Sequence, residues 1–370
     1  MKRLIILSAA IVWALFTGCQ APTNPLDKAA MAVSAGGWHT TILKYDGTLY
    51  ATGQNFFGQL GLGDTLNQTN PVQVMSGVSA VSAGTGHTVV LKSDGTLWAA
   101  GANGNGQLGD GTTTKSKFFE QVMMMTGVAA VSAGAWHTMV LKSDGTLHGM
   151  GSNYFGQLGI GADTSNQLTP VLVMTQVSAV SAGGAHTMII RNDGSLYATG
   201  DNTFGQLGTS LPIKRKTPYK IMDSVLAVSA GGGHTMIIKK DHTLWATGFN
   251  HNGELGLGDT TPHVNPVQVT SGVPVSAVSA GGWHTMILKN DGSLWATGNN
   301  TWGQLGTGDT NSISTPTPIM MSGVAAVSTG LGHTMILKTD GTVWATGFNH
   351  AGTLGTGDTL QRTTPVKVWP

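Results

Sequence analysis

Histidine is the side chain best suited to acid–base chemistry near neutral pH, and this chain of 370 residues carries twelve. Seven of them, His39, His87, His137, His186, His234, His284 and His333, share one setting. A glycine stands three residues earlier, a threonine follows at once, and an aspartate comes seven residues later. A histidine with an aspartate nearby is the pairing that general-base catalysis uses. A catalytic group, however, is needed once, and this group recurs at steps of 48, 50, 49, 48, 50 and 49 residues. The seven histidines are therefore read as scaffold, bonding backbone groups at the start of a strand. The other five (His148, His242, His251, His263 and His350) share no spacing typical of metal ligands. No metal and no cofactor is expected, and the chain holds no nucleophile elbow, phosphate-cradling loop or metalloprotease helix.

A period near 49 residues, kept from end to end, marks a repeat architecture. Each repeat holds four short strand signals: Ala-Val-Ser-Ala at 80–83, an apolar run after His-Thr such as Met286 to Lys289, Thr-Leu-Trp-Ala-Thr at 243–247, and Pro-Val-Gln-Val at 71–74. Asp-Gly separates the second and third strands in six repeats, and Asp241-His242 does so in the fifth. That dipeptide predicts a tight hairpin with positive φ at both central positions. The second strand is apolar at successive positions, as expected of a strand covered on both faces. Seven such four-strand units predict an all-β fold, a seven-bladed β-propeller.

Charged residues make up 10% of the chain and form no long run of one sign. That is a poor footprint for nucleic acid, which is not expected as a partner. Lys2-Arg3, the apolar stretch Leu4 to Phe16 and the sole cysteine, Cys19, resemble a bacterial lipoprotein signal. The run is short for a membrane span. The expected organisation is a signal peptide over 1–18, a lipid-anchored tether over 19–30 and a propeller over 31–370. Lipid on Cys19 would hold the protein to a membrane of the bacterial envelope, with Gln20 pointing to the outer one.

The stretch Trp295 to Asp309 contains Gly298-Asn299-Asn300-Thr301-Trp302-Gly303-Gln304-Leu305-Gly306. With the upstream Gly-x-x-His-Thr and Asp-Gly, it resembles the regulator of chromosome condensation repeat family, over essentially all of 31–370. The resemblance implies a seven-bladed propeller. The family's namesake is a nuclear nucleotide-exchange factor that also binds chromatin. A lipid-anchored bacterial protein meets neither partner, and the repeats carry no insertion able to act as an exchange wedge. No small GTPase is expected. A secreted bacterial relative that inhibits β-lactamases implies that the scaffold can serve as a protein-binding disc outside the cytoplasm.

The informative positions vary inside the repeat frame. In a four-stranded antiparallel blade, the 1–2 and 3–4 loops emerge on one side. Trp38, Trp136 and Trp283 occupy the first loop; Phe56, Phe57, Tyr154, Phe155, Phe204 and Trp302 occupy the second. Aromatics on a rigid loop platform tend to carry binding energy. The expected function is noncatalytic binding of a protein or envelope polymer through this face. Two rivals stay open: an envelope carbohydrate-active enzyme with its site at the ring centre, and a purely structural component. Two irregular segments stand out, Lys115 to Glu120 and Lys214-Arg215-Lys216, the latter a candidate for acidic partners or lipid headgroups.

Overall fold

In the computed structural model, which describes residues 29–122, 125–210, 213–269, 272–320 and 322–370, each repeat folds as one four-stranded antiparallel sheet. Cys19 lies outside the described residues. In blade 1 the strands are β1 (Ala30–Ala35), β2 (His39–Lys44), β3 (Leu49–Gly53) and β4 (Gln68–Met75), running from the axis to the rim. The seven sheets span 30–75, 78–121, 128–174, 177–222, 225–269, 275–320 and 324–369, and the described residues contain no helix. The protein is a seven-bladed β-propeller.

No blade has a core of its own. The buried apolar side chains gather into seven clusters, each drawn from two adjoining blades. The second strand explains how. In blade 3, Val140 packs with Val89 and Leu97 of blade 2, while Met139 and Leu141 face Val180 and Ile189 of blade 4. A strand whose two faces feed two cores must be apolar at successive positions. Full burial of one such side chain is worth roughly 1.5–3 kcal/mol, so a blade without neighbours would leave most of that gain unrealised.

Every sheet contains only strands consecutive in sequence, so the ring closes blade against blade. The seam between blades 7 and 1 is built like the others. Met335 and Val343 share a cluster with Val33 and Ile42, and the Ala35 amide donates to Ser328 Oγ at 2.9 Å.

Three hydrogen-bonded rings run around the axis. In the first, Ser Oγ of each inner strand accepts an amide proton from a neighbouring blade, as Ser34 does from Ala83 at 3.0 Å. In the second, backbone amides of the 1–2 turns bond turn to turn, as Gly37 N–H does to the Gly84 carbonyl at 2.9 Å. The third uses the seven histidines. His39 Nε2 lies 2.8 Å from Thr88 Oγ1 in blade 2, and the same contact repeats around to His333 and Thr40.

Each threonine hydroxyl donates its one proton to a backbone carbonyl, as Thr88 does to Gln59 at 2.7 Å. It can only accept from the imidazole, so Nε2 carries the ring proton. The bare Nδ1 of all seven rings has no partner and faces a glycine. A Cβ on Gly36 would lie 2.7 Å from His39 Nδ1 and 2.5 Å from the Gly84 carbonyl. The expectation that these histidines bond backbone groups is thus corrected. Their partner is the threonine side chain of the next blade, and the threonine reaches the backbone in their place.

The 2–3 turns also depart from expectation. Gly47 has φ of 79°, but Asp46 is not left-handed. Gly47 N–H donates to the Lys44 carbonyl at 3.1 Å and Lys44 N–H to that of Thr48 at 2.9 Å. This is a type I turn followed by a left-handed glycine, a three-residue hairpin. Asp46 Oδ1 accepts the Thr48 amide at 2.8 Å, which a two-residue turn would not allow. His242 takes the glycine's place in blade 5 with φ of 65°, and its Nδ1 lies 3.2 Å from the Val275 carbonyl.

Burial lowers the seven imidazoles from 6.5 to about 3 in His39, His137, His186, His284 and His333, and to about 4 in His87 and His234. Neighbouring histidines add to the shift in the first group. Well above pH 6.5 the folded and unfolded chains hold the same protons at these sites. Below it the unfolded chain takes up protons that the folded ring refuses, so stability falls with pH. With seven sites the slope near pH 5 approaches about 9 kcal/mol per pH unit, against total stabilities of about 5–15 kcal/mol for most domains. Urea midpoints should hold steady from pH 8 to 7 and collapse by about pH 5, with several protons taken up on unfolding. A midpoint unchanged down to pH 4.5 would overturn this account.

Candidate functional site

The two loops expected to share a face are bonded to each other in every blade. The Gln54 amide, opening the 3–4 loop, donates to the Trp38 carbonyl of the 1–2 turn at 2.8 Å. The asparagine of Gly-x-Asn then fixes the 3–4 loop from inside. Asn55 Oδ1 accepts the Leu60 amide at 2.9 Å, and Nδ2 donates to the Asp64 carbonyl at 3.1 Å. Gln59 Oε1 accepts the Phe57 amide at 2.9 Å. The loop platform is therefore tied down by buried side chains, as its repeated asparagines and glutamines suggest.

The two departures from glutamine coincide with a change in the residue before the loop asparagine, although in blade 2 Gln107 is kept beside Ala102 with its Nε2 unpartnered. The Gln206 amide nitrogen donates to Asp201, Gln157's to Ser152 and Gln304's to Asn299, each the residue before the loop asparagine. In blades 5 and 7 that residue is Phe249 or Phe348, which cannot accept, and the glutamine is replaced by Glu254 or Thr353. Glu254 turns acceptor only: its two oxygens take the amide and side-chain N–H of Asn252 at 2.9 and 2.7 Å. Burial pushes its carboxyl above the usual range.

A complementarity runs around this face. The residue before each loop's closing glycine reads Phe57, Asn105, Phe155, Phe204, Asn252, Trp302, Ala351 in blades 1 to 7. The residue before the histidine in the following blade reads Gly86, Trp136, Ala185, Gly233, Trp283, Gly332, Trp38. Each seam pairs one aromatic with one small or polar residue. The contacts show why both positions cannot be large. A Cβ on Gly86 would lie 3.1 Å from Phe57, one on Gly233 3.5 Å from Phe204, and one on Gly332 2.5 Å from Trp302.

The nine aromatics singled out from sequence thus fall into two groups. Trp38, Phe57, Trp136, Phe155, Phe204, Trp283 and Trp302 each occupy one seam. Of these, Trp136, Trp283 and Phe204 stay exposed and the other four are half-buried. Phe56 and Tyr154 are surplus to the pattern. They are 63% and 65% exposed and stand edge-on against Phe57 and Phe155, with ring centroids 5.1 and 5.0 Å apart.

Two aromatics of this face were missed in the sequence. Phe348 packs 4.5 Å from Trp38 and 5.6 Å from Trp302, and Phe249 packs 5.0 Å from Phe204. Their coincidence with the two lost glutamines was the available signal.

At the centre, each blade contributes the end of its inner strand and the turn beyond it: Ala35-Gly36-Gly37 in blade 1, Ala83-Gly84-Thr85 in blade 2, Thr329-Gly330-Leu331 in blade 7. The mouth is a shallow recess of about 80 Å³ lined by uncharged residues throughout. Among the described residues no three His, Cys, Asp or Glu side chains converge as metal ligands.

The seam pairing predicts a specific epistasis. Gly86→Trp should cost on the order of 1–3 kcal/mol by overpacking against Phe57. Adding Phe57→Asn, which copies the blade 2–blade 3 seam, should recover at least half of that loss in a urea-denaturation cycle. Additive costs would refute the rule of one aromatic per seam.

A sequence model of the RCC1-like domain matches residues 17–273 and 75–369. Among curated proteins, the ultraviolet-B receptor UVR8 of Arabidopsis thaliana is 48% identical over 50 residues, 13% of this chain and 11% of the receptor. The chain thus matches about a tenth of that relative's length. Among solved structures, Prp20p of Saccharomyces cerevisiae superposes with a TM-score of 0.79 at 19% identity, covering 89% of this chain and 87% of that one. Human WBSCR16 gives 0.76 at 22% identity, over 83% and 86%. These two likenesses concern the fold. With the family match spanning the whole ring of blades, the chain belongs to the RCC1-like domain family.

Proposed function

We propose that the protein is a noncatalytic binding module of the bacterial cell envelope, tethered by lipid on Cys19, that recognises a protein or surface polymer through its 1–2 and 3–4 loop face. The observation that carries this reading is the aromatic face itself. Rigidly tied loops present Trp136, Trp283, Phe204, Phe56 and Tyr154 to solvent, each at least 37% exposed. Large aromatics held in fixed positions lose little entropy on binding and are the commonest energetic anchors of interfaces. The uncharged mouth gives no support to an acid–base site at the ring centre. Family structures are consistent with a docking disc: that of Prp20p is described with its binding to Gsp1p and histones, and yeast RCC1 (Prp20) is also seen bound to Kap60. No exchange activity is proposed, because the repeat lengths differ by only two residues and leave no inserted wedge.

Two experiments address the two halves of the proposal. Replacing Phe56 and Tyr154, which fill no seam, together by Ser should weaken capture of the envelope partner by roughly tenfold or more while shifting the Tm by no more than a few degrees. Undiminished capture would remove this face from the reading. Cys19→Ala should abolish palmitate labelling and move the protein from the membrane to the soluble fraction. Persistent membrane association of the unlabelled variant would overturn the lipid anchor.

A further inference from the structure

Phe56 and Tyr154 fill no seam, yet each comes with a second departure from the repeat. The residue that enters the outer strand, one before the partner of the third-strand glycine, reads Asn67, Lys115, Asn166, Lys214, Pro262, Ser312 and Gln361 in blades 1 to 7. This position reaches the loop of the preceding blade, as the 3.0 Å bond from Asn166 to Asn105 illustrates. Lysine occupies it in two blades only, and those two follow the two blades with a surplus aromatic. Lys115 Nζ lies 5.3 Å from the centre of the Phe56 ring; Lys214 Nζ lies 4.1 Å from that of Tyr154 and 4.6 Å from that of Phe155.

The same three-part group is thus built twice: an exposed ring, the seam ring it stands on, and an ammonium from the next blade. Among the described residues neither lysine makes an ion pair. Further cations follow each of them, Lys117 in blade 2 and Arg215 and Lys216 in blade 4. Blade 4 also lacks the loop aspartate that stands at Asp64, Asp259, Asp309 and Asp358 in other blades, and Asp201, the cross-strand partner of Lys214, accepts from Thr203 and Gln206 instead. A contact between an exposed cation and an exposed ring does little for folding. Its recurrence at one repeat position in alternate blades is better explained by a ligand.

We infer that these two groups are equivalent subsites for an acidic polysaccharide, each taking one uronic-acid residue of the same chain. The apolar C–H face of a pyranose packs on the open side of Phe56 or Tyr154, and its carboxylate accepts charge-assisted hydrogen bonds from Lys115 or Lys214. Two similar subsites on one face of the disc suit a polymer of repeating units, which gains from engaging both at once. This inference deepens the proposed binding function and rests on it.

Titration of the full chain in detergent with polygalacturonate tests it, with dextran as the neutral control and polyglutamate as the acidic peptide control. Polygalacturonate should bind and dextran should not. Lys115→Gln and Lys214→Gln should each weaken binding at least tenfold, and together abolish it. Phe56→Ala should weaken it as much, with Phe56→Tyr restoring it. In a series of galacturonate oligomers, affinity should rise at least tenfold at the length that spans both subsites, a step lost in either lysine variant. Equal binding of polyglutamate, unchanged binding in the double lysine variant, or no binding of polygalacturonate would each overturn the inference. Partner capture by the wild-type chain, measured in parallel, separates the two claims. Capture that persists without polyuronate binding refutes the sugar subsites alone.

Discussion

The whole ring depends on one buried contact made seven times, the imidazole Nε2–H donating to the threonine hydroxyl of the next blade. A single hydrogen bond of this kind contributes only about 1 kcal/mol net. Its leverage is geometric. The hydroxyl passes its own proton to the carbonyl of the loop glutamine or its substitute, as from Thr88 to Gln59 or from Thr285 to Glu254. One contact therefore sets the spacing of two blades and the position of a 3–4 loop together. Because the cores lie in the seams, any blade that drifted outward would open two of them. The glycine facing each Nδ1 follows from the same constraint, since a methyl group there would meet both the ring and a neighbouring carbonyl.

Much of this fold was legible because it is repetitive. The period, the strand signals and the successive apolar positions of the second strand all pointed to blades packed face to face. What escaped were features that repetition hides. The His–Thr contact joins residues 49 to 51 apart, or 293 apart at the closing seam. Histidine and threonine are also adjacent in every repeat, so nothing in the sequence says that the bond skips to the next blade. The Asp-Gly turn was misassigned for a different reason. The dipeptide suits either hairpin, and the choice is made by the Asp carboxylate capping the amide two residues on.

The aromatic face was half legible. Its positions followed from blade topology, but nine residues were grouped that have two roles. The alternation of large and small residues across seams is a relation between the end of one repeat's loop and the start of the next repeat. Aligning repeats to one another conceals it, because Trp38 and Phe57 then fall in different columns. Once blades are paired, Trp136 with Asn105 and Phe57 with Gly86 read as the same solution reached from opposite sides. Phe249 and Phe348 were hidden likewise, being visible only beside the loss of glutamine at Glu254 and Thr353.

A sevenfold scaffold acquires function where it stops being sevenfold. Each seam needs one ring to roof it, and seven supply that need. An aromatic beyond that number gains little by staying on the surface, drawing about 0.5–1.5 kcal/mol from an edge-on ring contact and about 0.5–1 kcal/mol from an exposed cation–π contact. Phe56 and Tyr154 persist in that position, and Lys115 and Lys214 appear beside them and not beside the other five seams. The paired departures lie on alternate blades, so the proposed sugar subsites fall in one sector of the disc, running from blade 1 to blade 4. A ligand that reads that sector need not be symmetric, and it need not touch the axis.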